Sequence, residues 1–342
     1  METPPEDELP EVEPGSDRDI AARVEEHLLG GPRRFRRNQV AAVSDVDLAY
    51  VRRLWRAMGF ANVGDDAVAF TEGDLLALDQ LLHLVKDEVV DKEFAVSITR
   101  AMGHTMARLV QWQVEALTEY LKESRGLSGG EAVTAGVNLA SDHLEDFERL
   151  LVYVWRRQLA AVAGRALSGP AELATGWLAV GFADLVAYTR LSQRLEERAL
   201  ALLVDRFETR ASDAVAACSG RLVKTVGDEV LFVADSAERA IEIGLALTET
   251  MAQDDLLPDV RVGIASGAVV SRMGDVFGRT VNLASRLTSM AEPGGVLLDE
   301  ATARVVEDQP GFEVGYTRTR AVRGLGLVRA AVVRRAEHLP RD

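Results

Sequence analysis

Cysteine is almost absent from this chain of 342 residues, because Cys218 is its one cysteine. A single cysteine excludes an internal disulfide and fits a reducing cytoplasm, although an exported protein without disulfides would have the same composition. The sequence also lacks a run of about eighteen uninterrupted apolar residues, which a membrane-spanning helix requires. We therefore expect a cytoplasmic protein without a membrane span.

The amino terminus lacks the apolar segment of a signal peptide. Residues 1–19 contain eight acidic side chains, one arginine and four prolines. This composition favours disorder, so we predict an acidic disordered tail over residues 1–25. A second, short tail is predicted over residues 337–342.

Basic side chains are too few for a protein that binds nucleic acid in general. The net charge is −15, divided into −10 for residues 1–170 and −5 for residues 171–342. Because nucleic-acid affinity depends mainly on neutralised phosphates, general nucleic-acid binding is not expected. The basic run Arg33–Arg37 could contact phosphate, but its acidic surroundings favour a solvated or intramolecular role.

Helical periodicity dominates the first half of the sequence, and helices alternate with strands in the second half. The predicted helices span residues 46–60, 74–86, 94–123, 131–157, 191–218, 236–251 and 282–290. The predicted strands span residues 177–182, 260–265, 296–298 and 327–333, with a hairpin at Gly227-Asp228. Glycines and a proline near residues 163–174 indicate a domain boundary. We predict a helical domain over residues 26–147, an amphipathic linker over 148–170 and a layered domain of helices and strands over 171–336.

Lysine is scarce, with four lysines against thirty-five arginines, and Lys224 is the only lysine of the last 172 residues. Lysine is a compact charge that donates three hydrogen bonds, whereas arginine is a broad planar fork. Lys224 therefore suits a narrow pocket that presents one acceptor. A solvated lysine in a hairpin is the alternative explanation.

Two aspartates are placed for cation binding. Asp184 follows the predicted strand 177–182, and Asp228 lies in the predicted hairpin turn. Carboxylates that converge on one cleft suit a pair of hard divalent cations, of which Mg²⁺ or Mn²⁺ fits best. No histidine occurs between His143 and His338, so zinc sites and histidine-dependent nucleophiles lack their residues. Aspartates are also common in turns for structural reasons alone.

A third cluster lies between Gly274 and Leu287. Asn282 and Arg286 are four residues apart, so on a helix they share one face near its amino-terminal end, where the dipole favours anions. An amide and a guanidinium in this position could clamp a phosphate in its transition state. The alternative is a helix on which Asn282 and Arg286 simply face water.

Three segments, residues 182–186, 224–229 and 275–286, together resemble the class III nucleotidyl cyclases in order and spacing. Residues 274–278, Gly-Asp-Val-Phe-Gly, are similar to the bacterial subgroup called class IIIc. The resemblance implies an α+β cyclase domain over residues 171–336, with a ferredoxin-like βαββαβ core and a mainly antiparallel sheet. An all-α regulatory domain would precede it.

The resemblance also implies an adenylyl cyclase that converts ATP to 3′,5′-cyclic AMP and pyrophosphate as a head-to-tail homodimer with shared active sites. The implied site residues are Asp184 and Asp228 for two Mg²⁺ or Mn²⁺ ions, Lys224 and Asp275 for the purine, and Asn282 and Arg286 for the transition state. Lys224 would donate to adenine N1 while Asp275 accepts from the amino group. Guanine presents the reverse pattern, and each mispaired buried group costs about 1–3 kcal/mol.

Two positions depart from the family pattern. Ala187 stands where many members have glycine, and Leu325 stands where many animal members have a lysine that binds the triphosphate. Arg279 and Arg323 are the candidate replacements for that lysine. A guanylyl cyclase, a diguanylate cyclase and a catalytically silent DNA-binding regulator are the alternative functions.

Residues 38–60 resemble the helical regulatory domain of some actinobacterial cyclases, and they are also similar to the helix-turn-helix of merR-like transcription factors. We predict a domain that holds two cyclase domains apart or misaligned. The candidate pH-sensing residues are His27, His83, His104 and His143, because histidine ionises near neutral pH. Sensing of a lipid or small molecule is the competing hypothesis.

Overall fold

The computed structural model describes residues 17–44, 46–60, 64, 66–168, 176–272, 274–322 and 324–336. The chain divides into two compact units, the first ending at Leu159 and the second beginning at Ala160.

The first unit is helical. Its elements are α1 (Asp17–Leu28), β1 (Phe35–Arg36), α2 (Arg37–Val43), α3 (Leu48–Ala57), β2 (Val68–Phe70), α4 (Glu72–Lys86), α5 (Lys92–Arg125), α6 (Gly129–Asp142) and α7 (Leu144–Ser168), the last of which continues past Leu159. Small apolar clusters hold it together, and one of them joins Tyr50 and Leu54 of α3 to Leu82 of α4 and Val96 of α5.

Capping residues explain several helix boundaries in this unit. Thr71 accepts a hydrogen bond from the amide of Asp74 at the start of α4, and Asp91 does the same for the amide of Phe94 at the start of α5. Gly126 ends α5 in the left-handed conformation, which glycine adopts without steric cost.

Two predictions for this unit differ from the structure. The helix predicted over residues 131–157 is two helices, because the chain leaves the helical conformation at His143. Residues 17–25, predicted as part of a disordered tail, belong to α1, and residues 1–16 lie outside the described residues. The predicted tail over residues 337–342 lies outside them too.

The second unit combines helices with strands. Its elements are β3 (Trp177–Leu185), α8 (Tyr188–Ser192), α9 (Glu197–Ala217), β4 (Arg221–Val226), β5 (Glu229–Ala234), α10 (Ala237–Ala252), β6 (Val260–Ala268), β7 (Val270–Arg272), β8 (Asp275–Phe277), α11 (Arg279–Met290), β9 (Val296–Asp299), α12 (Glu300–Val306), β10 (Phe312–Tyr316), β11 (Arg320–Val322), β12 (Gly326–Val328) and β13 (Ala330–Arg335).

A seven-stranded sheet with the order β10-β13-β9-β6-β3-β5-β4 forms the centre of this unit. Its strand pairs are antiparallel except for β6 with β9. The segment β3-α9-β4-β5-α10-β6 gives the predicted βαββαβ core, with β6, β3, β5 and β4 adjacent in that order. The predicted α+β class with a mainly antiparallel sheet is therefore confirmed.

Alternating residues of β3 belong to different cores on the two faces of the sheet. Ala179, Ala183 and Leu185 pack with residues of α9, α10 and α12. Val180 and Phe182 pack with Ala284 and Leu287 of α11 on the other face. We call this second surface the α11 face.

The helix α11 lies directly on the sheet at Gly263 of β6. A Cβ atom at this position would lie 2.1 Å from the amide nitrogen of Thr288, so a side chain here would push the helix away. The hydroxyl of Thr288 also donates to the carbonyl oxygens of Ala284 and Phe182, at 3.0 and 3.3 Å. Glycine in β6 therefore sets the distance between α11 and the sheet.

Candidate active site

Charged side chains from three neighbouring strands meet at the end of β3 on the α11 face. Asp184 of β3 pairs in register with Glu229 of β5 on one side and with Arg261 of β6 on the other. β3 continues to Leu185, so Asp184 lies within the strand and not after it, as the sequence had suggested. Asp228 occupies the predicted hairpin turn between β4 and β5, and its carbonyl oxygen accepts from the amide of Leu185 at 3.1 Å.

The guanidinium of Arg261 forms an ion pair and a hydrogen bond with the carboxylate of Asp184. Both side chains are partly buried, with 30% of Arg261 and 20% of Asp184 exposed. The Nε atom of Arg261 is buried and has no hydrogen-bond partner among the residues that the structure describes. Arg261 thus uses part of its donor capacity on Asp184 and keeps part unused.

Negative charge exceeds positive charge in this cluster. Burial raises the pKa of Asp228, the charge of Asp184 raises it further, and the charge of Arg261 opposes this rise. Burial, followed by the charges of Asp184 and Asp228, also raises the pKa of Glu229. A raised carboxyl pKa means that the ionised form is disfavoured where it stands, and a bound cation would remove that penalty.

The donors available here suit Mg²⁺ or Mn²⁺. Within the described residues, no group of three or more aspartate, glutamate, histidine and cysteine side chains is arranged to hold a metal ion. Asp184 and Asp228 are close enough for their charges and a hydrogen bond to influence the pKa of Asp228. Mg²⁺ is commonly held by only one or two carboxylates, with water and substrate phosphates as its other ligands. The two aspartates therefore fit an ion that shares its coordination with a phosphate.

Lys224 and Asp275 form a second charged pair. The Nζ atom of Lys224 lies 2.5 Å from an Oδ atom of Asp275, and the two side chains are 36% and 26% exposed. Burial raises the pKa of Asp275, but hydrogen bonds from Lys224 and the amide of Val276, with the charges of Lys224 and Arg221, more than offset this, so the pKa lies below its usual value. Asp275 is therefore an ionised acceptor beside a lysine donor.

A β-bulge directs Lys224 to the α11 face. The register between β4 and β5 shifts between Leu222 and Lys224, so that Leu222 pairs with Phe232 and Lys224 pairs with Leu231. Leu231 packs on the α11 face and Phe232 on the other. Strict alternation would have given Lys224 the same face as Leu222, so the extra residue, Val223, determines where the lysine points.

Asn282 and Arg286 lie on α11 with exposed side chains, as does Arg279. None of the three side chains makes a hydrogen bond to another residue in the described part of the chain. In the described residues, no hydrogen bond or ion pair joins Asn282 or Arg286 to Asp184 or Asp228. Thr288 of α11 lies at the level of Phe182 of β3. Asn282 is six residues before Thr288 on the helix, and Asp184 is two residues after Phe182 on the strand. Asn282 is therefore displaced from Asp184 by about 15 Å along the strand direction.

The remaining predicted positions of the cyclase domain have separate outcomes. Arg323 lies outside the described residues, and Leu325 is partly buried. Ala187 precedes α8 with φ 60° and ψ 24°, a left-handed conformation that favours glycine. The sequence interpretation did not include Arg261 and Glu229. One signal for Arg261 was available, because it is the only charge in the apolar run of β6 from Val260 to Ala268.

The four histidines of the first unit differ in their contacts. His27 Nε2 lies 3.3 Å from the carbonyl oxygen of Ser141, which links α1 to α6. His83 lies 3.0 Å from the carbonyl oxygen of Asp79 in its own helix, and His143 lies 3.7 Å from Asp146. His104 is exposed on α5.

The basic run predicted as a possible phosphate contact is engaged within the unit. Arg33 pairs with Glu25 at 2.5 Å and Arg34 with Glu72 at 3.5 Å. Arg37 is buried, and its guanidinium lies 6.0 Å from the ring centroid of Phe70. These contacts agree with the intramolecular alternative. In the described part of the chain, no helix is both long and apolar enough to cross a membrane.

Comparison with known proteins identifies relatives for both units. The family of adenylate and guanylate cyclase catalytic domains matches residues 174–333. An adenylate cyclase of Streptomyces coelicolor is 49% identical over 316 residues, which cover 90% of this chain and 82% of that protein. An adenylate cyclase of Glutamicibacter nicotianae is 41% identical over 337 residues, which cover 93% and 83%. A pH-sensitive adenylate cyclase of Mycobacterium tuberculosis is 30% identical over 325 residues, which cover 90% and 80%.

These relatives align with both the helical unit and the mainly antiparallel α+β unit, at identities and coverages that establish common descent. The chain belongs to the class III adenylyl cyclases.

Proposed function

We propose that this protein converts ATP to 3′,5′-cyclic AMP and pyrophosphate, in active sites that two copies of the chain build together. The observation that carries the proposal is the pair of Lys224 and Asp275, a donor and an ionised acceptor held 2.5 Å apart. Adenine presents an acceptor at N1 beside a donor at its amino group. The pair therefore complements the edge of adenine, whereas guanine would meet it with a donor and an acceptor in the opposite order.

Asp184 and Asp228 would hold two Mg²⁺ or Mn²⁺ ions in this proposal. When bound, the ions lower the pKa of the ribose 3′-hydroxyl that attacks the α-phosphorus and stabilise charge on the phosphates. Glu229 adds negative charge beside these two carboxylates, because its register partner on β3 is Asp184 and not a basic residue. This excess attracts cations to the end of β3.

Arg261 would bind the triphosphate. Its guanidinium lies at the candidate metal site, is always charged and has a buried Nε donor without a partner among the described residues. Sequence interpretation proposed Arg279 and Arg323 for this function. Arg279 is exposed on α11, so it remains a candidate for a site completed by a second chain.

A homodimer would supply the transition-state groups. Asn282 and Arg286 are exposed on α11, and Asn282 is displaced by about 15 Å from Asp184 of its own chain. No hydrogen bond or ion pair joins Arg286 to either aspartate within the described residues. If the partner chain contributed them, an amide and a guanidinium would face the pentavalent phosphorus while the aspartates of the first chain held the metals. A homodimer would then contain two equivalent sites.

Substrate preference tests the purine assignment. Purified protein is incubated with ATP or GTP and Mn²⁺ or Mg²⁺, and cyclic nucleotide is measured. We expect cyclic AMP as the main product and a raised KM for ATP in Lys224→Arg, because the planar guanidinium does not fit a pocket that holds a compact ammonium. The matched control is Lys122→Arg, since Lys122 pairs with Glu119 at 3.2 Å on the surface of α5.

A GTP turnover that exceeds ATP turnover would refute this assignment and favour the guanylyl cyclase. Tight, salt-dependent duplex binding without nucleotide turnover would favour the DNA-binding regulator instead.

We further propose that the helical unit regulates the cyclase in response to pH, with His27 as the sensing residue. Among the described histidines, His27 is the one whose hydrogen-bond contact joins two different helices, α1 and α6. The pH-sensitive relative from Mycobacterium tuberculosis aligns over 90% of this chain and supports a regulatory function for this unit. The other three histidines are weaker candidates, because their contacts stay close in sequence or they are exposed.

The pH dependence of cyclase activity tests this second proposal. We expect His27→Gln to flatten the activity profile of the full chain between about pH 5.5 and 8, because glutamine keeps a hydrogen-bonding group without a charge change in this range. His83→Gln is the control, since the polar partner of His83 in the described residues is Asp79 of its own helix. An unchanged profile in His27→Gln would eliminate His27 and favour sensing of a lipid or small molecule.

A further inference from the structure

Arg261 occupies a carboxylate oxygen of Asp184, which is one of the two proposed metal ligands. Three carboxylates, Asp184, Asp228 and Glu229, lie together at the end of β3, yet the ion pair from Arg261 is made to Asp184. The contact forms across adjacent strands, because Asp184 and Arg261 are register partners of β3 and β6. Backbone pairing therefore holds the guanidinium in place beside the carboxylate.

A guanidinium and a divalent cation cannot share Asp184 without cost. The hydrogen bond from Arg261 goes to one carboxylate oxygen of Asp184 and uses a lone pair that metal coordination at that oxygen would also use. Arginine cannot lose its charge in a protein, so a metal ion beside it would face direct repulsion across a partly buried contact. Each cation therefore weakens the binding of the other at Asp184.

We propose that Arg261 is a built-in competitor for the metal site, which keeps Asp184 neutralised until a nucleotide arrives. The proposal rests on the proposed cyclase function for the identity of the nucleotide, but not for the competition itself. A triphosphate would offer Arg261 new acceptors, including one for the buried Nε atom. Release of Asp184 and binding of the phosphate would then occur together, so metal and nucleotide bind cooperatively.

The competition predicts a gain of metal affinity when the guanidinium is removed. In Arg261→Met, the side chain keeps most of its length and loses its charge, so Asp184 is left with no cation across the strand pair. We expect Mn²⁺ to bind about tenfold tighter or more in the absence of nucleotide, which is the scale of one close charge pair. Arg261→Gln, with a neutral hydrogen-bonding group, should give a gain in the same direction.

Mn²⁺ binding is measured on the purified full-length protein without nucleotide, by electron paramagnetic resonance of free Mn²⁺. Arg304→Met is the matched control, because Arg304 pairs with Glu300 on α12 at 2.6 Å and is far along the chain from the cluster. The gain should disappear in the double variant Arg261→Met/Asp228→Asn. Circular dichroism verifies that each variant is folded.

Unchanged or weaker Mn²⁺ binding in both Arg261→Met and Arg261→Gln would overturn the competition. A gain that survives Asp228→Asn would also overturn it, because the ion would then bind elsewhere. The proposed cyclase function can fail independently. If the protein makes no cyclic AMP but Arg261→Met binds Mn²⁺ more tightly, the competition is supported and the cyclase function is refuted.

Discussion

Two carboxylate clusters in the cyclase domain have opposite charge balances. Asp254 has 3% of its side chain exposed and faces two arginines, Arg206 at 2.7 Å and Arg210 at 3.4 Å. Hydrogen bonding from Arg206, more than any other cause, lowers the pKa of Asp254. At the end of β3, by contrast, three carboxylates share one arginine, and the pKa values of Asp228 and Glu229 are raised.

The difference separates a carboxylate that is neutralised within the fold from the proposed metal ligands. The Asp254 cluster has more cations than carboxylates, so ionised Asp254 stabilises the link between α9 and the segment after α10. The Asp228 cluster has more carboxylates than cations, so ionisation there costs stability. Carboxylates with raised pKa values cluster at functional sites, where a bound cation offsets their mutual repulsion.

Loss of Asp228 should produce the largest effect. We expect Asp228→Ala to lower cyclic AMP formation by at least ~100-fold, the scale on which one electrostatic group in a transition state contributes. Activity is measured with ATP and Mn²⁺. If the carboxylates at the end of β3 are structural like Asp254, the variant will instead lose stability and keep its activity per folded molecule.

Mixing variants tests whether the two pairs serve different sites. Each of Lys224→Ala and Asp228→Ala should be inactive alone, while a mixture should recover activity through heterodimers with one intact site. Absence of recovery in a mixture that forms heterodimers would contradict shared active sites.

Among the substitutions that test stability, the substitution of Asp254 should have the largest effect. Because its pKa is lowered in the fold, ionised Asp254 contributes stability above the unfolded-state pKa, and this contribution disappears as pH falls through the lower folded-state pKa. We expect Asp254→Asn to lower Tm by about 4 °C at pH 7, with a difference that shrinks below about pH 4. Thermal unfolding followed by circular dichroism measures it.

The control for Asp254→Asn is Asp213→Asn, because Asp213 is exposed on α9 and should leave Tm unchanged. An equal decrease in Tm at pH 3 and pH 7 would show that packing, and not ionisation, explains the loss.

Glu229→Gln should raise Tm at pH 7, in contrast to the decrease expected for Asp254→Asn. Its pKa is raised in the fold, so the folded protein binds the proton more tightly and loses stability as pH rises from the unfolded-state pKa through the folded-state pKa. Removing the charge should therefore raise Tm by about 1–2 °C at pH 7, with no gain below about pH 4. The exposed strand residue Glu313, changed to Gln, is the control. A lower Tm at pH 7 would show that ionised Glu229 stabilises the fold, as ionised Asp254 does.

The smallest effect concerns the backbone at Ala187, which follows the end of β3. Ala187 adopts φ 60°, which costs an L-residue about 1 kcal/mol or more, and Ala187→Gly removes this strain while increasing the entropy of the unfolded chain by a similar amount. We expect a gain in the free energy of unfolding below about 1 kcal/mol by urea denaturation. The control Ala199→Gly in α9 should lose about 1 kcal/mol. Equal losses in the free energy of unfolding for Ala187→Gly and Ala199→Gly would show that the backbone at Ala187 is not strained.

Local patterns predicted much of this fold. Helices such as α3 and α10 follow from apolar periodicity, and the hairpin at Gly227-Asp228 follows from its turn residues. The break at His143 was missed because no glycine or proline marks it. The short elements β7, β8 and α12 were missed since a few residues do not establish a period.

Part of the candidate site was also predictable, because Asp184, Asp228, Lys224 and Asp275 lie in motifs that resemble a family. The ion pairs that join Lys224 to Asp275 and Asp184 to Arg261 were not predicted. Lys224 and Asp275 are 51 residues apart, and Asp184 and Arg261 are 77 residues apart. Pairing of distant strands joins them, and local sequence carries little information on that pairing.

The bulge at Val223 makes the pairing register of β4 decide which face of the sheet Lys224 occupies. A substitution at Val223 changes one side chain in the core, but pairing of the same residues without the bulge would restore strict alternation and turn Lys224 to the face of Leu222. Engineers who graft the hairpin into another cyclase should preserve its spacing before its sequence.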